Sequence, residues 1–249
     1  MRISINPIFR TLMIFCTLGF ILFSGTFVFA QQSFPVIFES TRKAVLSAQL
    51  AGVLTSIKYE VGAYVKKGKA IARIDTRELQ LRKKRANLSA KHLKVQVEDL
   101  ERLIQSGLAT NEDLAKARME RDVSRTDISI LKLQISKSGI YAPFSCVLVR
   151  RMAQPHEWVT AGQPVVEVID PSKLKAVGNI PSQMAVTMKK GDKHTFYITD
   201  LDISVEGTVL AVVPIVDELS NTAQVVWKVE KGKTKLMAGM KGEVRFDRE

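Results

Sequence analysis

The chain has 249 residues, with 37 Lys and Arg against 25 Asp and Glu, a formal net charge of +12 and 7% aromatic residues. That length allows one large domain or two small ones, and a basic excess of this size first points toward nucleic acid. The distribution of residues argues against that partner: residues 1–30 hold no acid, only two bases (Arg2 and Arg10) and six of the eleven Phe, while the remainder is charged and poor in aromatics.

Residues 2–10 form a positive leader, residues 11–28 an apolar run, and Val28-Phe29-Ala30 a small-x-small site before Gln31. Together these read as a secretory signal peptide. The apolar stretch of about 20 residues also suffices to cross a bilayer core if it is retained, so residues 1–30 are a signal peptide or an N-terminal anchor. Both readings place the body outside the cytoplasm, with a charge of +10 once Arg2 and Arg10 are subtracted from +12. With the leader gone, Cys146 is the single cysteine and no intramolecular disulfide forms. It lies in the strand-like run 144–149, where a free Cys serves as a small buried hydrophobe. His92, His156 and His194 fall in segments of different type, with no spacing that unites them into a metal or catalytic set.

Residues 48–74 repeat at 142–168 with a constant offset of 94 and no gap: Ala48 with Ala142, Val53 with Val147, Leu54 with Leu148, Val65 with Val159, Gly68 with Gly162. The matches fall on β-rich runs and Val-x-x-Gly turns, which marks two copies of a short all-β unit. Between the copies, residues 76–138 are rich in Leu, Arg, Lys and Glu and contain no Pro. Leu79, Ala86, Leu93 and Leu100 recur every seven residues, with Ala90, Val97 and Ile104 on the same face, a seam suited to coiled-coil packing. Gly107 can end this helix in the left-handed conformation, and Thr110 with Asp113 resembles a capping box opening the next. The returning helix, from Asn111 to about Ser136, carries Leu114, Ala117, Ile128, Leu131 and Ile135, a rougher seam interrupted by Arg121 and Ser124. A second row, Leu81, Leu88 and Val95, lies about 200° round the first helix and has no use inside a two-helix hairpin. It predicts lateral packing against a neighbouring subunit or partner. The basic runs 82–85 and 91–94 read as a solvated helix face. Beyond Asp170-Pro171, residues 173–249 show short β-rich runs with the rhythm of a small barrel or sandwich.

The order of half-motif, helical hairpin, matching half-motif and small β-domain resembles the periplasmic adaptor subunits, also called membrane fusion or haemolysin-secretion-D-like proteins. The first half reads A-x3-G-x9-G-x2-V-x2-G and then I-A-R-I-D. The second reads Ala142-Pro143-Phe144 followed by V-x2-G-Q-P and V-E-V-I-D. Near the end stand Val213-Pro214-Ile215-Val216-Asp217, Ser220, Thr222 and Leu236-Met237-Ala238-Gly239-Met240. The resemblance implies a β-rich fold with an inserted α-helical hairpin: a lipoyl-like barrel-sandwich hybrid, an antiparallel coiled-coil hairpin and a small C-terminal β-barrel. The expected divisions are 1–30 signal peptide or anchor, 31–75 an N-terminal strand and the first lipoyl half, 76–138 the hairpin, 139–172 the second lipoyl half and 173–249 the barrel. A membrane-proximal domain after Met240 is expected to be absent. Gly62, Gly68 and Gly162 occupy lipoyl turns, and Leu103, Gly107 and Thr110 the hairpin tip that docks on a channel. Asp99 departs from the family's Arg there, Cys146 stands opposite Gly52 in the repeat, and His156 opposite Gly62.

By this resemblance the chain is a non-enzymatic periplasmic adaptor of a tripartite efflux or secretion system, associated with the inner membrane. It links an inner-membrane transporter, foremost of the resistance-nodulation-division type, to an outer-membrane channel protein. The implied partners include a homo-oligomeric ring (trimer or hexamer) and the membrane surface, with no nucleic acid, cofactor or metal. An adaptor of an ATP-driven exporter is the alternative. A lipoyl or biotinyl carrier is disfavoured because helices replace the tight turn that bears the modified Lys. Metal handling by Met184 with Met188, or Met237 with Met240, gives way to packing as the commoner use of Met. No paired carboxylates, phosphate-cradling loop or Ser/His/Asp set marks an enzyme, and Asp75 and Asp170 read as turn residues.

Overall fold

The computed structural model describes residues 32–230, 232 and 234–246; the leader or anchor read at residues 1–30 lies outside them. In chain order the elements are β1 (Gln32–Ser40), β2 (Lys43–Ser47), β3 (Gly52–Ile57), β4 (Tyr64–Val65), β5 (Ala70–Ile74), the helices α1 (Arg77–Gln105) and α2 (Asn111–Lys137), and then β6 (Gly139–Tyr141), β7 (Cys146–Arg151), β8 (Trp158–Val159) and β9 (Pro164–Ile169). They continue with β10 (Leu174–Pro181), the single turn α3 (Ser182–Ala185), β11 (Lys193–Ile198), β12 (Ile203–Asp217), β13 (Thr222–Val229) and β14 (Lys241–Phe246). No helix among the described residues is long and apolar enough to cross a membrane.

Strands β2 to β9 make two four-stranded sheets, in the orders β2-β9-β7-β4 and β6-β5-β3-β8. Adding 94 to each position turns β3 into β7, β4 into β8 and β5 into the start of β9, so each sheet is the other with its halves exchanged. The hydrogen bonds obey the same rule. Gly68 N–H donates to the Ala142 carbonyl at 2.8 Å and Gly162 N–H to that of Ala48 at 2.8 Å; Ala48 N–H reaches Gln163 at 2.9 Å and Ala142 N–H reaches Lys69 at 3.0 Å. The shared core holds Leu54 with Leu148, Val65 with Val159 and Ile71 with Val165, all fully buried. Alternation along each strand places one apolar set inward. Neither half has enough strands to cover its set, and so each half borrows the other's.

The second β-unit is a closed six-stranded barrel in the order β1-β10-β13-β12-β11-β14. Here the structure corrects the expected division: residues 173–249 supply five of these strands, and the sixth, β1, comes from the start of the chain. Its register explains why. β1 pairs with β14 from Gln32↔Phe246 to Ile37↔Lys241 and with β10 from Val36↔Gly178 to Ser40↔Leu174, closing the gap between two strands that would otherwise be open edges. The core is built on Phe38, Phe196 and Trp227, stacked edge-to-face at 6.0 Å and 5.4 Å between centroids. Gly207 makes room for them: a Cβ there would stand 2.5 Å from the Phe196 ring.

His194 sits on the rim of this core, its Nδ1 accepting from Trp227 Nε1 at 3.2 Å and its ring edge-on to Phe246 at 5.0 Å. Burial pushes its pKa below the usual imidazole range, against the smaller opposing pull of Asp192. Below the ordinary value of about 6.5 the unfolded chain takes up a proton that the folded barrel resists, so stability declines as pH falls through that window. Glu167, held low by Lys43 and Arg150, acts in the same sense only at more acid pH. Thermal unfolding should therefore show a midpoint that drops between about pH 7.5 and about pH 5.5, and His194→Gln should flatten that slope.

Candidate functional site

The hairpin grows from the edge of the sandwich where β5 ends and β6 begins. Ile74 N–H donates to the Ser138 carbonyl at 2.9 Å, and Arg73 pairs with Gly139, so both feet of the insertion are pinned to adjacent strands. Asp75 takes hydrogen bonds from the Arg77 Nε (2.8 Å) and backbone N–H (2.9 Å), which hold its carboxyl below the usual range and supply an acceptor at the start of α1. Asp170 is buried, which raises its pKa, but bonds from the Ser172 hydroxyl (2.5 Å) and N–H (3.0 Å), with Arg42 nearby, bring it down overall. Both carboxylates are committed to local turns.

Helices α1 and α2, of 29 and 27 residues, pack against each other, joined laterally by Arg118 to Glu101 at 2.7 Å. At about 1.5 Å per residue each arm is roughly 40 Å long. On α1 the sheltered positions include Leu79, Ala86, Ala90, Leu93, Val97, Leu100 and Ile104. On α2 they include Leu114, Ala117, Arg121, Ser124, Ile128, Leu131 and Ile135, spaced alternately three and four apart. Arg121 and Ser124 thus belong to the seam that they were expected to interrupt. Ser124 Oγ donates across to the Ala86 carbonyl at 3.3 Å, and Arg121 turns its head to Asp122 at 3.0 Å while its stem stays covered. Two polar residues are tolerated because each finds a partner without leaving the interface.

At the tip, Leu108 N–H donates to the Leu103 carbonyl at 2.9 Å and Gly107 N–H to the Ile104 carbonyl at 3.0 Å, with Gly107 at φ +72°. This is a Schellman closure, in which the left-handed residue satisfies two orphan carbonyls. Three residues after Gly107, Thr110 Oγ1 accepts from Asp113 N–H at 3.1 Å, and the Asp113 carboxylate accepts from Thr110 N–H at 3.2 Å, a complete capping box. Leu103, Gly107 and Thr110 therefore come together at one end of the hairpin. The more open of the two exposed leucines there is Leu108, not Leu103: 75% of its surface is open against 40%.

Leu81, Leu88 and Val95 face solvent, at 67%, 62% and 48% exposure, on the side of α1 away from α2. A second unpartnered set, Met119, Val123, Ile130 and Leu133, is exposed on α2. Met119, Val123 and Ile130 line a groove with Arg82, Arg85 and Ser89 of α1. Their 4-then-7 spacing was available in the sequence, but α2 was read there only for its inward seam. Trp158, also exposed, shares a cleft of about 740 Å³ with Leu50, Leu79 and Leu81 at the hairpin's foot. The turn residues Gly62, Gly68 and Gly162 adopt φ of +88°, +79° and +87°, and His156, opposite Gly62, takes +74°. His is among the side chains that tolerate this region. Cys146 is buried, and burial raises its thiol pKa.

Two chain segments cross between sandwich and barrel, at residues 40–43 and 170–174, and unconnected crossings would leave a loose hinge. The two connecting chains are instead stitched together: Thr41 N–H to the Lys173 carbonyl at 2.9 Å, Asp170 N–H to that of Arg42 at 2.8 Å, and Ser40 Oγ to that of Asp170 at 2.7 Å. Met184, Met188 and Met240 pack against the barrel core. Among the described residues no group of three or more His, Cys, Asp or Glu is placed to hold a metal ion.

No family model matches the chain. Over 134 residues it is 28% identical to an uncharacterised protein of Haemophilus influenzae, a stretch covering 53% of this chain and 35% of that one, so the match spans about a third of the relative. Solved structures are similar over most of the chain. A MacA–MexA chimera carrying the Pseudomonas aeruginosa MexA α-hairpin domain matches with a TM-score of 0.76 at 19% identity, over 87% of this chain and 82% of that one. The membrane fusion protein Spr0693 of Streptococcus pneumoniae matches with 0.74 at 13% identity, over 88% and 100%. MacA of Actinobacillus actinomycetemcomitans matches with 0.64 at 19% identity, over 86% and 78%. The fold is that of the membrane fusion proteins and periplasmic adaptors.

Removing the tip's caps should loosen it locally. Thr110→Ala deletes the hydroxyl that caps α2, and Gly107→Ala forces a Cβ into the left-handed region; each should cost about 1 kcal/mol. Amide hydrogen exchange should quicken over residues 103–114 in both variants, while the barrel amides keep their wild-type rates.

Proposed function

We propose that the chain is a non-enzymatic periplasmic adaptor of a tripartite efflux or secretion system, joining an inner-membrane transporter, foremost of the resistance-nodulation-division type, to an outer-membrane channel. The observation that carries this reading is a pinned two-helix arm with a doubly capped tip, rising from a β-sandwich that is also tied to a closed barrel. The likeness to structures described as membrane fusion protein and MacA supports it. The arm acts as an antiparallel coiled-coil spacer whose tip, with Leu103, Gly107, Thr110 and the open Leu108, meets the channel, and the barrel faces the transporter.

Several copies, three or six, form a ring. Leu81, Leu88 and Val95 on one flank and Met119, Val123 and Ile130 on another supply apolar surface of the kind that otherwise costs solubility. Closed rings need two such complementary patches, one given and one received. A seam shared only by the two helices of one hairpin would leave both rows without use.

In-cell photocrosslinking from Gln105 and Thr110 at the tip, and from Lys189 and Lys241 on the barrel, should capture two different membrane proteins, a channel from the first pair and a transporter from the second. Capture of one soluble enzyme from both ends would defeat the reading. Replacing Leu81, Leu88 and Val95 together with Ser should leave monomer stability within about 1 kcal/mol, since all three are exposed. The same variant should lower self-association several-fold in sedimentation velocity.

A further inference from the structure

The barrel has two ends, and they differ. One is joined to the sandwich through Ser40 and Leu174. The registers Gln32↔Phe246, Val36↔Gly178 and Pro181↔Thr222 place the start of β1, the end of β14, α3 and the β12–β13 turn together at the other. There β12 runs on past its partner β11, whose pairing stops at Lys193↔Thr208. Residues 211–217 continue as an arm held by β13 alone, with two register shifts on the way.

The arm ends in apolar side chains open to solvent. Leu219 at the turn is 99% exposed and Ile215 73%, and Val186, just after α3, is 83% exposed. Hydrogen bonds brace the arrangement. Asp217 accepts from Ser220 N–H (2.8 Å) and hydroxyl (2.7 Å), and Ser182 donates through its N–H (3.0 Å) and hydroxyl (3.1 Å) to Asn221, fastening α3 to the turn. Lys189 and Lys190 follow Val186 and are exposed. Asp217 and Glu218 precede Leu219, so any attraction to anionic headgroups at this end comes from Lys189 and Lys190, and Leu219 itself can contribute only apolar area.

What lies opposite is indicated by where the chain goes. The apolar, acid-free residues 11–30 are separated from β1 by Gln31 alone, a reach of about 7 Å, so whatever surface holds that segment lies against this end of the barrel. We infer that the β12–β13 turn and Val186 rest in the interface of a phospholipid bilayer, making a second membrane contact beside the N-terminal segment. Amphipathic tips of this kind bury apolar side chains at the headgroup boundary. One attachment leaves the barrel free to swivel; two fix its orientation, and the stitched joint then passes that orientation to the hairpin. The inference rests on the adaptor reading, with residues 1–30 retained as an anchor.

The test uses the full chain with Cys16→Ser, leaving only the buried Cys146, reconstituted in phosphatidylethanolamine and phosphatidylglycerol vesicles. An environment-sensitive dye is attached to a single introduced cysteine at Leu219, at Ser33 beside the anchor, or at Thr110 on the tip. Lipids bearing a nitroxide near the headgroup should quench the dye at Leu219 and at Ser33 several-fold more than at Thr110, with a blue-shifted emission at Leu219. Quenching at Ser33 but not at Leu219 overturns this inference and leaves the adaptor reading standing. Loss of quenching at both positions overturns the membrane-facing barrel as well. Protection of Leu219 that appears only after a transporter is added assigns the turn to a protein partner, and so overturns the lipid contact.

Discussion

Two half-motifs, 94 positions apart, exchange strands so that each of the two sheets takes members from both. Bonds such as Gly68 to Ala142 and Gly162 to Ala48 are made at equivalent atoms with equal lengths of 2.8 Å. A half-motif alone would expose the apolar face that holds Leu54, Val65 and Ile71, each worth about 1.5–3 kcal/mol when covered. Folding of the sandwich therefore waits on the return of the chain from the hairpin. The exchange also explains why so long an insertion is harmless. Closure of a loop costs only slowly more with length, and here the inserted residues cover most of their own apolar seam.

The same pseudo-symmetry sets where the other units attach. Position 75, at which the chain leaves for the hairpin, is equivalent to position 169, at which it leaves for the barrel. The arm and the barrel thus emerge from corresponding corners of one rigid block. At the barrel corner the departing and arriving chains are bonded to each other, and Glu167 and Asp170, both buried, are held by Lys43, Arg150 and Arg42. Motion of the barrel relative to the sandwich has to carry both connections together. An orientation imposed at the far end of the barrel would pass through both connections to the sandwich and so to the foot of the hairpin.

Much of this was legible in the sequence because it depends on local periodicity. The repeat at offset 94 marked two copies of one β-unit, the seven-residue spacing of Leu79, Ala86, Leu93 and Leu100 named the seam of α1, and Gly107 with Thr110 and Asp113 named the tip. Each signal lies within a few turns of the backbone, where steric and hydrogen-bonding preferences act on neighbours. Arg121 and Ser124 were misread because their polarity was weighed without the partners, Asp122 and the Ala86 carbonyl, that satisfy it in place.

Residue type and spacing alone thus determined the two β-halves, the helical hairpin between them, its capped tip and the unpartnered row Leu81, Leu88 and Val95. Tertiary structure decided that β1 closes the barrel, that the joint is stitched, that Leu108 and Leu219 stand open, and that the β12–β13 turn shares an end with Gln32. The barrel closure, the stitched joint and the shared barrel end depend on pairings between residues more than a hundred positions apart, such as Ser40 with Leu174 and Gln32 with Phe246. Such pairings are selected by which open strand edges remain when the cores have formed, and no local pattern in the chain records that choice.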